Sequence, residues 1–196
     1  MKAVIFEKPG DESVLTIGEA DRPAMEPGCV RLRVHSSAVN RADLLQRMGF
    51  YPPPPGASPI LGLEACGEIT ELAPDLAETG AWRLGDTVMA LLSGGGYGEE
   101  VVVDARHVMP VPDQIGSPDA GAVPEVFLTA YLNLVILGGL RAGERVLIHG
   151  GSGGVGTAAI QIAKHLGARV WTTAGSAERA SRCEGLGADV AIDYRS

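Results

Sequence analysis

A glycine-rich segment in the second half of the chain has the composition and spacing needed to bind the phosphates of a dinucleotide. Residues 151–156 read Gly-Ser-Gly-Gly-Val-Gly and match the pattern G-x-G-x-x-G. The segment follows a short apolar run at 145–149 and opens an amphipathic stretch at 155–166, the context in which this pattern binds dinucleotides. Glycines there allow a tight turn close to a pyrophosphate, which the N-terminus of the next helix then binds. This context favours a phosphate-binding turn over an ordinary tight connection. The predicted cofactor-binding residues of the turn are Gly151, Gly153, Gly154, Val155 and Gly156.

The end of the next predicted strand, at 169–173, indicates which nucleotide is bound. Folds that prefer NAD have an Asp or Glu about 20 residues after the glycines, where it binds the ribose 2′-hydroxyl. Here the segment 172–176 reads Thr-Thr-Ala-Gly-Ser and has no carboxylate. Ser176 and Arg179, beside Gly175, can hold a 2′-phosphate, and Tyr194 can add a hydroxyl group. We therefore predict NADPH as the cofactor; the alternative is that Ser176 only caps a helix and Arg179 is a solvated residue.

Residues that could bind a metal or form disulfides are scattered along the chain. The three cysteines are Cys29, Cys66 and Cys183. They form no C-x-x-C motif, so neither a disulfide framework nor a structural zinc site is expected. The four histidines are His35, His107, His149 and His165. No two have H-x-x-x-H spacing, and we expect each to be solvated or structural, although His149 could lie near the cofactor.

The composition is that of an ordinary globular protein. Of the 196 residues, 45% are hydrophobic and 20% are charged, and no apolar run approaches the length of about 18 residues that a membrane span needs. The N-terminus lacks the apolar region of a signal peptide, which favours the cytoplasm. The net charge of −8, without any basic cluster, argues against nucleic acid as the main partner.

The pattern of the chain changes near Pro124. The first part consists of short strand-like segments separated by turns, and residues 30–35 alternate apolar and polar side chains as in a half-buried strand. One helix is expected at 41–48, capped by Asn40. We therefore predict a β-rich domain over residues 1–123, with a partly open barrel.

Residues 124–196 are predicted to form an α/β domain. An apolar helix is expected at about 125–137, and strands beginning near 145, 169 and 190 alternate with helices at 155–166 and 176–186. This β-α-β-α-β order is half of a doubly wound parallel sheet. The first strand would have an unpaired edge, so either the sequence is a fragment of a longer protein or something else covers that edge.

Several segments resemble the quinone oxidoreductase branch of the medium-chain dehydrogenase/reductase superfamily, which includes zeta-crystallin. They are SAVNRADLLQR at 37–47, YPPPPGAS at 51–58, ILGLEA at 60–65, ALL and GGG at 90–96, and GGVGTAAIQ at 153–161. Pro124-Glu125 and Leu128-Thr129-Ala130 also match. The resemblance covers the entire chain and is greatest to the tumour-suppressor-inducible quinone oxidoreductases of this branch.

The resemblance implies a GroES-like catalytic domain followed by a Rossmann domain, with the active site between them. It implies that Tyr51 hydrogen bonds the oxygen of the electron acceptor and that Asn40 and Asp43 lie near the nicotinamide. Thr129 is implied to lie near the nicotinamide ribose or amide, and Glu64 to be structural.

The resemblance also bears on metal binding and assembly. Zinc-dependent members have a Cys and a Gly-His-Glu where this chain has Asn40 and Gly62-Leu63-Glu64, so we predict no metal. Members of this branch are longer and form homodimers through a part of the Rossmann domain that lies beyond these residues.

We therefore predict a zinc-independent NADPH:quinone oxidoreductase that transfers hydride or electrons to a small quinone. A first alternative is an NADPH-dependent reductase of enoyl or alkenal double bonds, because hydride delivery to a conjugated carbonyl compound can use the same kind of site. A second is a truncated, non-catalytic form that binds a nucleotide or a partner.

Overall fold

The computed structural model describes residues 1–196, which fold as two units, Met1–Glu125 and Val126–Ser196. Each unit has its own hydrophobic core. The core of the first unit includes Val30, Leu32 and Ile69, and that of the second includes Ile160 and Val170.

The first unit is built mainly from antiparallel strands, as predicted. Strands β1 (Lys2–Ile5) and β2 (Thr16–Glu19) form a hairpin. The other five strands form one sheet in the order β6-β3-β4-β5-β7. They are β3 (Cys29–Ser36), β4 (Glu64–Leu72), β5 (Thr87–Leu91), β6 (Glu100–Asp104) and β7 (Val108–Pro110). Three short helices complete the unit: α1 (Arg41–Arg47), α2 (Pro74–Ala77) and α3 (Ser117–Ala120). The sheet is open, and the strands do not close into a barrel.

Strand β3 shows the predicted alternation from Leu32 to His35 but departs from it at Arg31. It pairs with β4 on one side and β6 on the other, and Arg31 on the expected polar face is only 4% exposed. The Arg31 guanidinium donates to a Glu71 carboxylate oxygen and to the Pro23 carbonyl oxygen, each at 2.8 Å. These partners allow Arg31 to be buried, because a buried guanidinium is tolerated only when its charge and its donors are matched. Arg33 and His35 of the same strand are exposed.

The second unit contains the predicted β-α-β-α-β arrangement. Strands β8 (Arg145–Ile148), β9 (Arg169–Ala174) and β10 (Val190–Asp193) are parallel and lie in the order β10-β9-β8. Helix α5 (Gly154–His165) connects the first two strands, and α6 (Ala177–Gly185) connects the last two. The predicted α/β architecture is thus confirmed, with β8 at an edge of the sheet.

The apolar helix predicted at 125–137 changes its geometry halfway. Helix α4 (Pro124–Tyr131) continues into a π-helical segment, Leu132–Leu137. At the junction the Asn133 side-chain amide donates to the Thr129 carbonyl oxygen at 2.8 Å, and the Gly138 N–H reaches back five residues to the Asn133 carbonyl oxygen. The wider turn ends at Gly138 and Gly139, the second of which has a φ of +62°.

The three cysteines of the chain, Cys29, Cys66 and Cys183, are all free and buried. No helix combines the length and the apolar character needed to cross a bilayer.

Alanine substitutions at two glycines are expected to change the free energy of unfolding in opposite directions. A Cβ at Gly67 in β4 would lie 3.0 Å from the Arg33 carbonyl carbon and 3.2 Å from the Val34 Cα, so Gly67→Ala forces the paired strands apart. We expect it to lower the free energy of unfolding by about 2 kcal/mol, as overpacking does. Gly185 in α6 has no atom within 4 Å of an added Cβ, so Gly185→Ala should stabilise the helix by up to about 1 kcal/mol. Urea unfolding of the two variants measures both effects, and equal midpoints would contradict the close strand contact.

Candidate active site

The glycine-rich segment forms a tight turn between β8 and α5. Gly150 has a φ of +68°, and Gly153 is the N-cap of α5. An added Cβ at Gly156 would collide with the Gly150 carbonyl oxygen and lie 2.7 Å from the Gly151 Cα. The first turn of the helix therefore packs directly on the connecting segment, and only glycine fits at that contact.

This turn presents unpaired donors to an anion. The first intrahelical bond of α5 runs from the Thr157 N–H to the Gly153 carbonyl oxygen at 2.8 Å. The N–H groups of Gly154, Val155 and Gly156 come before it and have no partner within the helix. Together with the positive end of the helix dipole, they are available to an anion such as a phosphate group. The structure thus brings the five predicted glycine-turn residues together.

Of the residues predicted for the 2′-phosphate, Ser176 follows β9 and Tyr194 follows β10, whereas Arg179 lies in the first turn of α6. The Ser176 hydroxyl accepts the Arg179 backbone N–H at 3.3 Å, so Ser176 does cap α6. The exposed Arg179 lines, with Ser152 and Gly153, a pocket of about 730 Å³. The structure therefore places Arg179 beside the phosphate turn, a position that the sequence predicted only by spacing.

The third strand brings two more polar side chains to the same end of the sheet. A Cβ on Gly175 would lie 2.9 Å from the Tyr194 hydroxyl oxygen and 3.7 Å from Nε of Arg195. The Arg195 guanidinium lies 5.9 Å from the centre of the Tyr194 ring. Sequence reasoning selected Tyr194 but missed Arg195, although the position of the Tyr-Arg pair directly after the third strand could have indicated it.

In the first unit, Asn40 and Asp43 belong to a buried hydrogen-bond network. Asn40 is the N-cap residue of α1, and its backbone N–H donates to an Asp43 carboxylate oxygen at 2.8 Å. The other Asp43 oxygen accepts the Gly62 N–H at 3.0 Å. The Tyr97 hydroxyl donates to Asp43 at 3.0 Å and also lies 3.1 Å from the Ala38 carbonyl oxygen. Asp43 thus joins the start of α1 to two other segments.

Glu64 extends the network from the first residue of β4. One of its carboxylate oxygens accepts the Asn40 side-chain amide at 2.7 Å, and the other accepts the Glu125 backbone N–H at 2.9 Å. Glu64 is 0% exposed and Asp43 is 2% exposed. Both carboxylates are therefore held by neutral donors, which satisfy buried acceptors without a cation.

Burial dominates the electrostatics of this network. Desolvation raises the pKa of Glu64 above its usual value; the hydrogen bonds from Asn40 and Glu125 oppose this shift, and the neighbouring Asp43 carboxylate adds to it. Burial, followed by the Asp43 charge, raises the pKa of Tyr97 far above its usual range. Tyr97 therefore stays protonated and donates to Asp43 throughout the neutral pH range. Sequence reasoning missed Tyr97, because no local pattern links it to Asp43.

The other predicted site residues are more accessible. Tyr51 is 44% exposed and follows the 76% exposed Phe50; it makes no hydrogen bond to Asn40 or Asp43. Thr129 is half-buried on α4 in the second unit. Asn40 and Asp43 join segments of the first unit, and the direct roles of Asn40, Asp43, Tyr51 and Thr129 stay predictions.

Comparison with known proteins identifies the family. The chain matches the model of the alcohol dehydrogenase GroES-like domain over residues 26–113 and that of the zinc-binding dehydrogenases over residues 154–196. With a GroES-like unit followed by a glycine turn on a parallel sheet, the chain belongs to the medium-chain dehydrogenase/reductase superfamily. This confirms the resemblance at the level of the superfamily.

Three relatives illustrate the range of the family. The Escherichia coli quinone oxidoreductase solved with NADPH is 28% identical, with a TM-score of 0.87 over 100% of this chain and 59% of its own. The CurK enoyl reductase is also 28% identical, with a TM-score of 0.88 over 100% of this chain and 60% of its own. The polyketide synthase GfsB of Streptomyces halstedii is 40% identical over 88% of this chain, a match that spans 3% of that protein. The chain therefore corresponds to only part of each relative.

The zinc-binding family raises the question of whether this chain can hold the metal. Asn40 and Glu64 are hydrogen bonded to each other, and Leu63 has no donor atom. No three His, Cys, Asp or Glu side chains of the chain are grouped as a metal site requires. Because a catalytic zinc takes three protein ligands of nitrogen, sulfur or oxygen, these residues do not fit the metal.

The raised pKa of Glu64 predicts a pH dependence of stability. The folded chain holds the Glu64 proton more tightly than the unfolded chain, whose carboxyl titrates near its ordinary pKa of 4.5. The stability that Glu64 contributes is therefore greatest below that pH and is lost as the pH rises through its folded pKa. The free energy of unfolding of the wild type, minus that of Glu64→Gln, should fall as the pH rises from about 4.5 to 7. Urea unfolding across this range measures the difference. The exposed Glu184→Gln is the control, and a difference that rose with pH would contradict the raised pKa of Glu64.

Proposed function

We propose that this chain binds NADPH and takes part in the zinc-independent transfer of a hydride from NADPH to a quinone. The observation that carries the proposal is the closed Asn40–Asp43–Glu64 network, in which neutral donors satisfy buried carboxylates where zinc-dependent members hold the metal. With no ligand set to polarise a simple carbonyl group, the acceptor must be activated by its own conjugation. A quinone meets this requirement, because its ring becomes aromatic on reduction.

The predicted cofactor is confirmed at the level of the family, since the E. coli relative is solved with NADPH. In this chain the glycine turn would hold the pyrophosphate with the N–H groups of α5. Arg179 and Arg195, with the Tyr194 hydroxyl, would hold the 2′-phosphate. The absence of a carboxylate at the end of β9 removes the group that would bind a free 2′-hydroxyl and repel a phosphate.

In the proposed reaction the cofactor supplies the hydride, and the protein positions the cofactor and the acceptor. When bound, NADPH supplies the hydride from its nicotinamide ring. The turn fixes the phosphates and thereby the position of the rest of the cofactor, which is the positioning that such transfers depend on. The exposed Tyr51 phenol donates a hydrogen bond to the acceptor oxygen. Tyr97 keeps its proton, which it donates in a hydrogen bond to Asp43, and takes no part in the transfer.

A second candidate is the reduction of an enoyl double bond. It is favoured by the 40% identity to the polyketide synthase GfsB and by the similarity to the CurK enoyl reductase. The two reactions differ in their proton requirement. A reduced quinone takes protons on oxygen, which water supplies readily, whereas an enoyl substrate needs a proton delivered to carbon. In the first unit the Asp43 and Glu64 carboxylates already accept hydrogen bonds within the buried network, so Tyr51 would be the proton donor.

Arg179→Gln should reduce the preference for NADPH over NADH. We expect wild type to bind NADPH more tightly than NADH, and the variant to lose about tenfold in NADPH affinity, as when a charge-assisted hydrogen bond is removed. Affinity for NADH should be unchanged. Titration of each nucleotide, followed by the fluorescence of Trp171 in β9, measures both constants.

The matched control for this experiment is Arg141→Gln. Arg141 is an exposed arginine of the second unit that does not line the pocket beside the glycine turn, so its loss should leave both affinities unchanged. A folded wild-type chain that binds neither nucleotide would overturn the proposed function. Equal affinities for the two nucleotides would overturn the assignment of the 2′-phosphate site.

Tyr51→Phe should separate the two candidate reactions. If the acceptor is a quinone, loss of one hydrogen bond should lower kcat/KM by about tenfold or less. If the enoyl reaction is the natural one, loss of the proton donor should lower kcat by about 100-fold or more. Oxidation of NADPH with a 1,4-benzoquinone and with a crotonyl thioester measures both.

Tyr131→Phe, which changes another exposed tyrosine, is the control. Faster turnover of the thioester than of the quinone by wild type would favour the enoyl reaction. Binding of NADPH without oxidation by either acceptor would instead support a nucleotide-binding form without catalysis.

A further inference from the structure

Two adjacent threonines at the end of β9 contact the start of the phosphate turn from different sides. The buried Thr172 hydroxyl donates to the Ile148 carbonyl oxygen at 2.7 Å, and a Cβ on Gly151 would lie 3.0 Å from the Thr172 Cβ. Because successive side chains of a strand point to opposite faces, Thr173 lies on the other face. The sequence draws attention to these residues only as the place where a carboxylate is missing.

Thr173 makes three contacts to the turn. Its hydroxyl oxygen accepts the Gly150 N–H at 3.2 Å, and its carbonyl oxygen accepts the Gly151 N–H at 3.0 Å. Its hydroxyl oxygen also lies 3.2 Å from Nδ1 of His149. In the tautomer of His149 that carries its proton on Nε2, Nδ1 accepts a hydrogen bond from the Thr173 hydroxyl. The hydroxyl can then accept from Gly150 and donate to His149 at the same time.

We propose that Thr173 is a positioning residue for nucleotide binding. It holds Gly150 and Gly151, at the start of the turn, in the conformation that receives the pyrophosphate. The inference rests on the proposed binding of NADPH and adds a residue to it. Gly150 has a positive φ and is solvent-exposed, so without the hydroxyl its N–H can bind water instead. The folded chain then loses little stability, but the turn must be ordered when the nucleotide binds, which weakens affinity.

This role differs from that of the 2′-phosphate residues in a measurable way. The pyrophosphate is common to NADPH, NADH and ADP-ribose, so a defect in the turn weakens all three ligands by the same factor. A defect at Arg179 weakens only NADPH. Comparing the affinities for these three ligands therefore distinguishes a defect in the glycine turn from a defect at the 2′-phosphate residues.

The test compares Thr173→Val, which keeps the shape of the side chain, with Thr173→Ser, which keeps the hydroxyl. Calorimetric titration of the 196-residue chain with NADPH, NADH and ADP-ribose gives the affinities. We expect Thr173→Val to weaken all three by about tenfold, the effect of one lost hydrogen bond, and Thr173→Ser to match the wild type. Amide hydrogen exchange should become faster at Gly150 in the valine variant only.

Three results would overturn the inference: wild-type affinities in Thr173→Val, a loss confined to NADPH, or a serine variant as weak as the valine variant. Thermal unfolding of each variant checks that it is folded. If Thr173→Val does not fold, a serine variant with weakened affinity still counts against the role of the hydroxyl, and one with wild-type affinity supports it. A folded wild type that binds none of the three ligands would overturn the proposed function as well, whereas the other results leave that proposal standing.

Discussion

The burial of two carboxylates without a cation is the constraint on which the first unit depends. Asp43 and Glu64 lose their hydration on folding, and a buried charge is tolerated only if its oxygens accept hydrogen bonds. The donors come from the start of α1, the Gly62 turn, Tyr97 and the start of α4. Segments far apart in sequence must therefore meet at one point, and Asn40 is held between the two carboxylates.

The second unit depends on a steric constraint instead. The first turn of α5 lies so close to the segment before it that no side chain fits at Gly156, and this contact leaves the helix N-terminus open to an anion. The two units thus prepare opposite electrostatic environments. In the first unit, neutral donors hydrogen bond to buried carboxylates. In the second unit, the unpaired N–H groups at the start of α5 are available to a negative ligand.

Local sequence patterns predicted the fold well. The β-α-β-α-β order was predictable because helix and strand periodicities are properties of neighbouring residues. One departure arose where distant residues intervened, and the other is local to one helix. Arg31 is buried because Glu71 and Pro23 cover it, and the helix after Pro124 widens where the Asn133 side chain binds a backbone carbonyl oxygen.

The sequence by itself determined the glycine turn and the missing carboxylate after it, because each depends on residue type at a fixed spacing. The resemblance to the family pointed to Asn40 and Leu63 as the positions where zinc-dependent members have ligands. Only the tertiary structure decided that Gly62 and Tyr97 donate to Asp43 and that the Thr173 hydroxyl oxygen accepts the Gly150 N–H. These contacts join residues that lie on separate strands and loops. Hydrogen bonds of this kind depend on how elements pack, and no periodicity in the chain encodes them.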